Sequence, residues 1–155
     1  MNTDSDVLQK AFNTSRVIWI AILAALAIYI IVGHALAGRE FIDSSTIPLP
    51  LIRVVLAAVG GAMLVGSFFI RRGMLEPQAS GAPGDAAGTA ARYRSATMIT
   101  AGICEAVGLF GLVLIFLGDG LPTLYLFNIV AAAALVLHRP KLEELERLAG
   151  RPACS

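Results

Sequence analysis

Glu105 is the residue of this 155-residue chain whose type and position call most directly for chemistry. It is the one charged side chain in the apolar run Ser95–Leu117, eleven residues after Arg94 and thirteen before Gly118. On a helix those separations are roughly 16 and 20 Å, too far for the side chain to reach water at either end. A carboxylate at the centre of a bilayer costs about 2.5–3.5 kcal/mol on insertion scales. No Lys or Arg lies within any of the apolar runs to pair with it. Desolvation without a cationic partner favours the neutral acid, so Glu105 is expected to rest mainly protonated. It can then take up or release one proton when its surroundings change. The competing reading is a neutral Glu105 acting as interhelical hydrogen-bond glue, a role worth about 0.6 kcal/mol on average.

Small residues surround the position. Ala101 and Gly108 stand at i−4 and i+3 on the same helical face, with Gly102 and Gly111 close by, and such residues permit close helix approach. Gly60 and Gly61 fall at the midpoint of the preceding apolar run, at similar depth, flanked by Ala57, Ala58, Ala62 and Gly66. These two helices are therefore expected to pack tightly around the carboxyl group. Asn128, in the last apolar run, matches the depth of Glu105 when counted from the arginines that follow it, which makes it a candidate hydrogen-bond partner. Cys104 is turned about 100° from Glu105 and reads as a small packing residue. His34 and His138 fall at opposite ends of their helices and cannot share a metal. No Ser/His/Asp set, Cys/His pair or carboxylate pair occurs within the apolar runs, so neither an enzyme nor a resident metal or cofactor is expected.

The elements that hold these residues follow from hydropathy. Four runs, Val17–Ala37, Val54–Ile70, Ser95–Leu117 and Leu121–Leu137, are 21, 17, 23 and 17 residues long and make up half the chain, yet contain only one of its 23 charges. Spanning a bilayer takes about 20 apolar residues, with roughly 17–25 observed. With 57% hydrophobic and 15% charged residues, an ordinary soluble globule is excluded. Period-two alternation is absent, which excludes a β-barrel reading. A net charge of +1 offers nucleic acid no basic field. Two cysteines, Cys104 and Cys154, make no disulfide framework. Ala35-Leu36-Ala37 resembles a signal-cleavage site, but Asp4 and Asp6 and the length of the run favour a membrane helix.

The expected fold is all-α integral membrane: four transmembrane helices (about 16–37, 51–71, 94–117 and 121–138) in antiparallel hairpins. Ten of the twelve Lys and Arg residues fall before helix 1, between helices 2 and 3, or after helix 4; only Arg39 and Arg53 lie opposite. The positive-inside rule then places both termini and the central loop in the cytoplasm. Trp19, Tyr29, Tyr93 and Tyr125 are expected as interfacial aromatics. The Gly/Ala/Pro/Ser-rich stretch 73–91 reads as a flexible tether. Gly118-Asp119-Gly120 with Pro122 reads as a tight turn closing helices 3 and 4. Leucines at every third position in 140–149 mark a short amphipathic tail helix lying along the bilayer or the helix ends.

One stretch resembles a known family. Ala57-Ala58-Val59-Gly60-Gly61-Ala62-Met63-Leu64-Val65-Gly66 is a small-residue helix, followed by Arg71-Arg72-Gly73-Met74-Leu75-Glu76-Pro77-Gln78. The helix after it carries Ala101-Gly102-Ile103-Cys104-Glu105-Ala106-Val107-Gly108-Leu109-Phe110-Gly111-Leu112-Val113. Over about 65 residues this resembles the proteolipid c-subunit of rotary ATP synthases. The resemblance implies that Glu105 is the carboxylate that binds the coupling ion, in copies assembled side by side. Sodium-binding members supply a hydroxyl just after the Glu and a tyrosine five residues on. Ala106 and Phe110 stand there in this chain, so the implied ion is H⁺, since hard cations need several oxygens. The chain differs from the family in its longer central loop and in helices 1 and 4, which flank the hairpin. The expectation is a non-enzymatic, proton-binding, self-associating protein of a bacterial inner membrane, its partners the lipid bilayer and further copies or a larger membrane complex. The alternative is a structural or assembly subunit in which Glu105 is neutral glue.

Overall fold

The structure, a computed structural model, describes residues 3–37, 48–75 and 86–149. Within these the chain folds into α1 (Thr3–Leu36), α2 (Leu49–Leu75), α3 (Ala86–Phe116), α4 (Leu121–Leu137) and α5 (Leu142–Leu148). No strand occurs among the described residues. α1, α2 and α3 are each long and apolar enough to cross a membrane; α4 passes that test only when joined to α5, from which it is bent by 49°.

α3 is the hub. It packs along α1, α4 and α2, whereas α1 and α2 scarcely meet. Lipid tails are as apolar as leucine, so close approach rather than water exclusion must hold such helices together. Gly111 supplies it between α3 and α4: a Cβ there would lie 3.0 Å from Phe127 Cβ and 3.1 Å from the Leu124 backbone. Gly108 supplies it between α3 and α1, where a Cβ would collide with Leu26. Leu26, Ala101, Cys104, Val107, Leu114, Phe127, Ala131 and Leu135 form the central core. Trp19 Nε1 donates to Leu135 O at 2.8 Å and pins α1 to α4.

Two polar clusters close the ends. At the α3–α4 turn, Gly118 takes φ 89°, a left-handed conformation that suits glycine. Its N–H donates to Ile115 O at 3.0 Å and that of Asp119 to Leu114 O at 2.9 Å, capping α3. Pro122 sits in the first turn of α4. Arg53 of α2 grips Asp119 with two nitrogens, Nε to Oδ2 at 2.9 Å. Burial pushes the Asp119 carboxyl up, but the Arg53 hydrogen bond and the Gly120 amide outweigh it and hold it below its ordinary value.

At the opposite end α5 folds back. Leu145 is fully buried against Leu8, Ala11, Ala86, Ala90 and Tyr93, a burial worth about 1.5–3 kcal/mol. Tyr93 Oη accepts the Lys141 N–H at 2.8 Å and donates to Lys141 O at 3.2 Å. Arg71 of α2 donates to His138 O at 3.1 Å and to Glu144 at 2.8 Å, its guanidinium 5.9 Å from the Tyr93 ring centroid. Burial and the Arg71 charge push the His138 imidazole below its ordinary value.

The boundaries of α1, α2, α3 and α5 differ from the sequence expectation. α1 begins at Thr3, not near residue 16, and α3 at Ala86, not near 94. Both extensions exist because Leu8 and Ala11 have Ala86, Ala90 and Leu145 to bury against. α2 runs two residues earlier and four later than 51–71. Residues 86–91, expected as tether, are therefore helix, while 76–85 lie outside the described residues, as do Arg39, Arg151 and Cys154. The tail helix docks on the ends of α1 and α3 as α5, shorter than 140–149.

Candidate functional site

Glu105 sits in the middle third of α3, half-buried. Its α3 neighbours on one side, Met98, Ile99, Leu109, Val113 and Phe116, form an exposed stripe. On the other side Ala101, Cys104 and Gly108 turn into the core. The carboxyl group thus stands at the rim of α3, on the flank covered by α1.

α1 and α3 run parallel: Leu8 packs at the start of α3 on Ala86 and Ala90, and Leu26 further along on Gly108. Helical side chains lean toward the N-terminus of their own helix. Tyr29 therefore reaches back along α1, and its Oη donates to Glu105 Oε1 at 2.9 Å. The phenol is the hydrogen-bond partner that the structure gives Glu105. Near the turn end, Tyr125 Oη and His34 Nε2 lie 2.8 Å apart, and His34 Nδ1 is 3.0 Å from Ile30 O.

The residues expected around the site divide. Ala101 is buried at 1% exposure in the central core. Gly108 packs beneath Leu26 and Ala131, binding α3 to α1 and α4. Gly60 meets Val107 and Phe110, which lie about 200° and 140° round α3 from Glu105. Gly61 is exposed with no atom within 4 Å of where its Cβ would be. α2 therefore flanks the far edge of α3 and does not enclose the carboxyl group; α1 covers its near edge instead. Asn128 is buried, but its Nδ2 donates to Leu124 O at 3.0 Å and its Oδ1 has no partner among the described residues. It points at the Gly108 side of α3, and Tyr29 holds the place expected for it.

Tyr29 was legible only as an interfacial aromatic near the end of a run. Its signal was its hydroxyl: the one phenol inside the first apolar run, on a helix lacking any other strong partner for an acid except His34 at its end. His34 and His138 lie at opposite ends of the bundle, His34 bonded to Tyr125 and His138 carrying the carbonyl that Arg71 binds. Among the described residues no group of three His, Cys, Asp or Glu side chains is placed to hold a metal. What the arrangement can do chemically is exchange a proton at Glu105 while keeping it hydrogen-bonded. Comparison with protein-family models, curated proteins and solved structures finds no match.

Proposed function

We propose that this chain is a self-associating membrane subunit, c-subunit-like in its central hairpin, that takes up and releases one proton at Glu105. In this reading α1 to α4 all cross the bilayer, α4 at the short end of the spanning range. The basic α5 end and both termini face the cytoplasm. The observation that carries the reading is a lone carboxyl group at mid-helix, on an outward rim, hydrogen-bonded to a phenol rather than to a cation. A cation would fix the carboxylate form; a phenol does not. Gly61, exposed on α2, and the outward stripe of α3 would supply the surfaces that meet neighbouring copies.

The second reading, a structural or assembly subunit, draws on the same bond, since Tyr29–Glu105 ties α1 to α3. Glu105→Gln separates the two, because it preserves hydrogen bonding and abolishes proton exchange. The experiment is the mass of the gently extracted complex, with hydrophobic carbodiimide labelling at pH 6 and pH 8. A homo-oligomer labelled at Glu105, more at pH 6, with labelling lost but mass kept in Glu105→Gln, supports the first reading. An unreactive Glu105 in a monomer or a mixed complex leaves the second.

A further inference from the structure

Among the described residues Glu105 has one hydrogen-bond partner contributed by another helix, Tyr29, and that partner can serve either of its protonation states. A hydroxyl is donor and acceptor at once. When Glu105 is ionised, the Tyr29 O–H donates to Oε1, the geometry seen at 2.9 Å. When Glu105 carries its proton, the carboxyl O–H can donate to the phenol oxygen across the same short gap, and the phenol keeps its own proton throughout. Each state keeps one hydrogen bond across the gap, and the charge-assisted one, with the carboxylate accepting, is the stronger.

We infer that Tyr29 is the positioning residue that sets how tightly Glu105 holds its proton. The inference rests on the reading of Glu105 as a proton-exchanging group. Other titratable groups stand away from the pair. On α1, His34 is five residues further on and bonded to Tyr125. On α3, Cys104 faces into the core. α4 offers Asn128, which does not titrate and is bonded to Leu124. On α2, the nearest charges are Arg53 and Arg71 at its two ends, paired with Asp119 and Glu144. Among the described residues the phenol is thus the titratable group bonded to the carboxyl group. Donation from Tyr29 favours the ionised form, so removing the hydroxyl tilts the pair toward the acid.

The test is carbodiimide labelling of the full-length protein across pH 5 to 9, for the unsubstituted chain, Tyr29→Phe and Glu105→Gln. The midpoint of labelling is expected to move up by about one pH unit in Tyr29→Phe, roughly tenfold in proton affinity, with the mass of the complex unchanged. Loss of a mere packing bond would lower stability and leave the midpoint where it was. A second readout needs no stable Tyr29→Phe protein: the infrared carbonyl band of protonated Glu105, identified by its absence in Glu105→Gln. In the unsubstituted chain it is expected at the lowered frequency of a hydrogen-bonded acid. An unmoved or lowered midpoint in Tyr29→Phe, or the band of a free acid, overturns the role of Tyr29 while leaving proton exchange intact. No labelling of the unsubstituted chain at any pH overturns both.

Discussion

A missing side chain has different consequences at different glycines of this bundle. At Gly111 an added methyl group would press on Phe127 Cβ and on the Leu124 backbone, which cannot swing aside. Gly111→Ala is expected to push α4 from α3 and lower stability by about 1–3 kcal/mol. Gly61→Ala meets nothing within one copy and removes the backbone freedom of a mid-helix glycine, so the fold of a single copy is expected to be unchanged or slightly stabilised. Thermal unfolding of both variants in the same detergent checks the pair; equal losses would mean that Gly61 is already packed. At this scale the sequence exposed the important acid and hid its partner. Glu105 stood out because one charge in an apolar run is anomalous whatever surrounds it. Tyr29 did not, because depth counted along the chain places its Cα near the outer end of a run, whereas its ring leans a turn or more back toward Glu105. Asn128 matched in depth but faces Gly108 rather than the rim, and counting residues gives depth without direction.

Elements add a second level of control, clearest in α5. Seven residues are far too few to be helical alone, so α5 depends on Leu145 in its pocket and on Glu144 against Arg71. Leu145→Ala is expected to release it, at a cost of about 2–5 kcal/mol to docking. Amide exchange in α5 and tryptic cleavage after Lys141 should rise while the core of α3 and α4 stays protected. His138 adds a pH dependence with a fixed sign. Its charged form is disfavoured in the folded bundle by burial and by Arg71 of α2, so the unfolded state binds more protons below the ordinary value of 6.5. The stability it contributes is thus fully present above that pH and is lost as pH falls through it toward the lower value of the folded imidazole. Exchange rates corrected for intrinsic pH effects should show that trend and lose it in His138→Gln. The long apolar middles of α1, α2 and α3 were legible because hydropathy alone decides them. The first turns of α1 and α3 were not: Asp6, Lys10 and Arg16 mask Leu8 and Ala11, whose cover comes from the start of α3 and from α5, dozens to more than a hundred residues away.

Across the whole molecule the helices are held unequally. α2 leans on α3 alone along its length and is fastened at its two ends, by Arg53 to Asp119 and by Arg71 to Glu144. Asp119→Asn combined with Glu144→Gln should free it. Amide exchange is expected to quicken along α2 well beyond the sum of the single variants, with α1, α3 and α4 little changed. The proposed topology is checked in a cysteine-free background (Cys104→Ala, Cys154→Ala) by adding Ala37→Cys or Arg147→Cys. A membrane-impermeant maleimide should reach these from opposite faces of the bilayer. The α5 end has a consequence that concerns time as much as space. Its apolar seam joins Leu8 of α1 to Leu145 of α5, which is translated more than a hundred residues later. The seam can close fully only on a chain translated through α5, because Leu145 caps the contact that Leu8 and Ala11 make with Ala86 and Ala90. Closure of the seam is thus the last packing step that translation permits among the five helices.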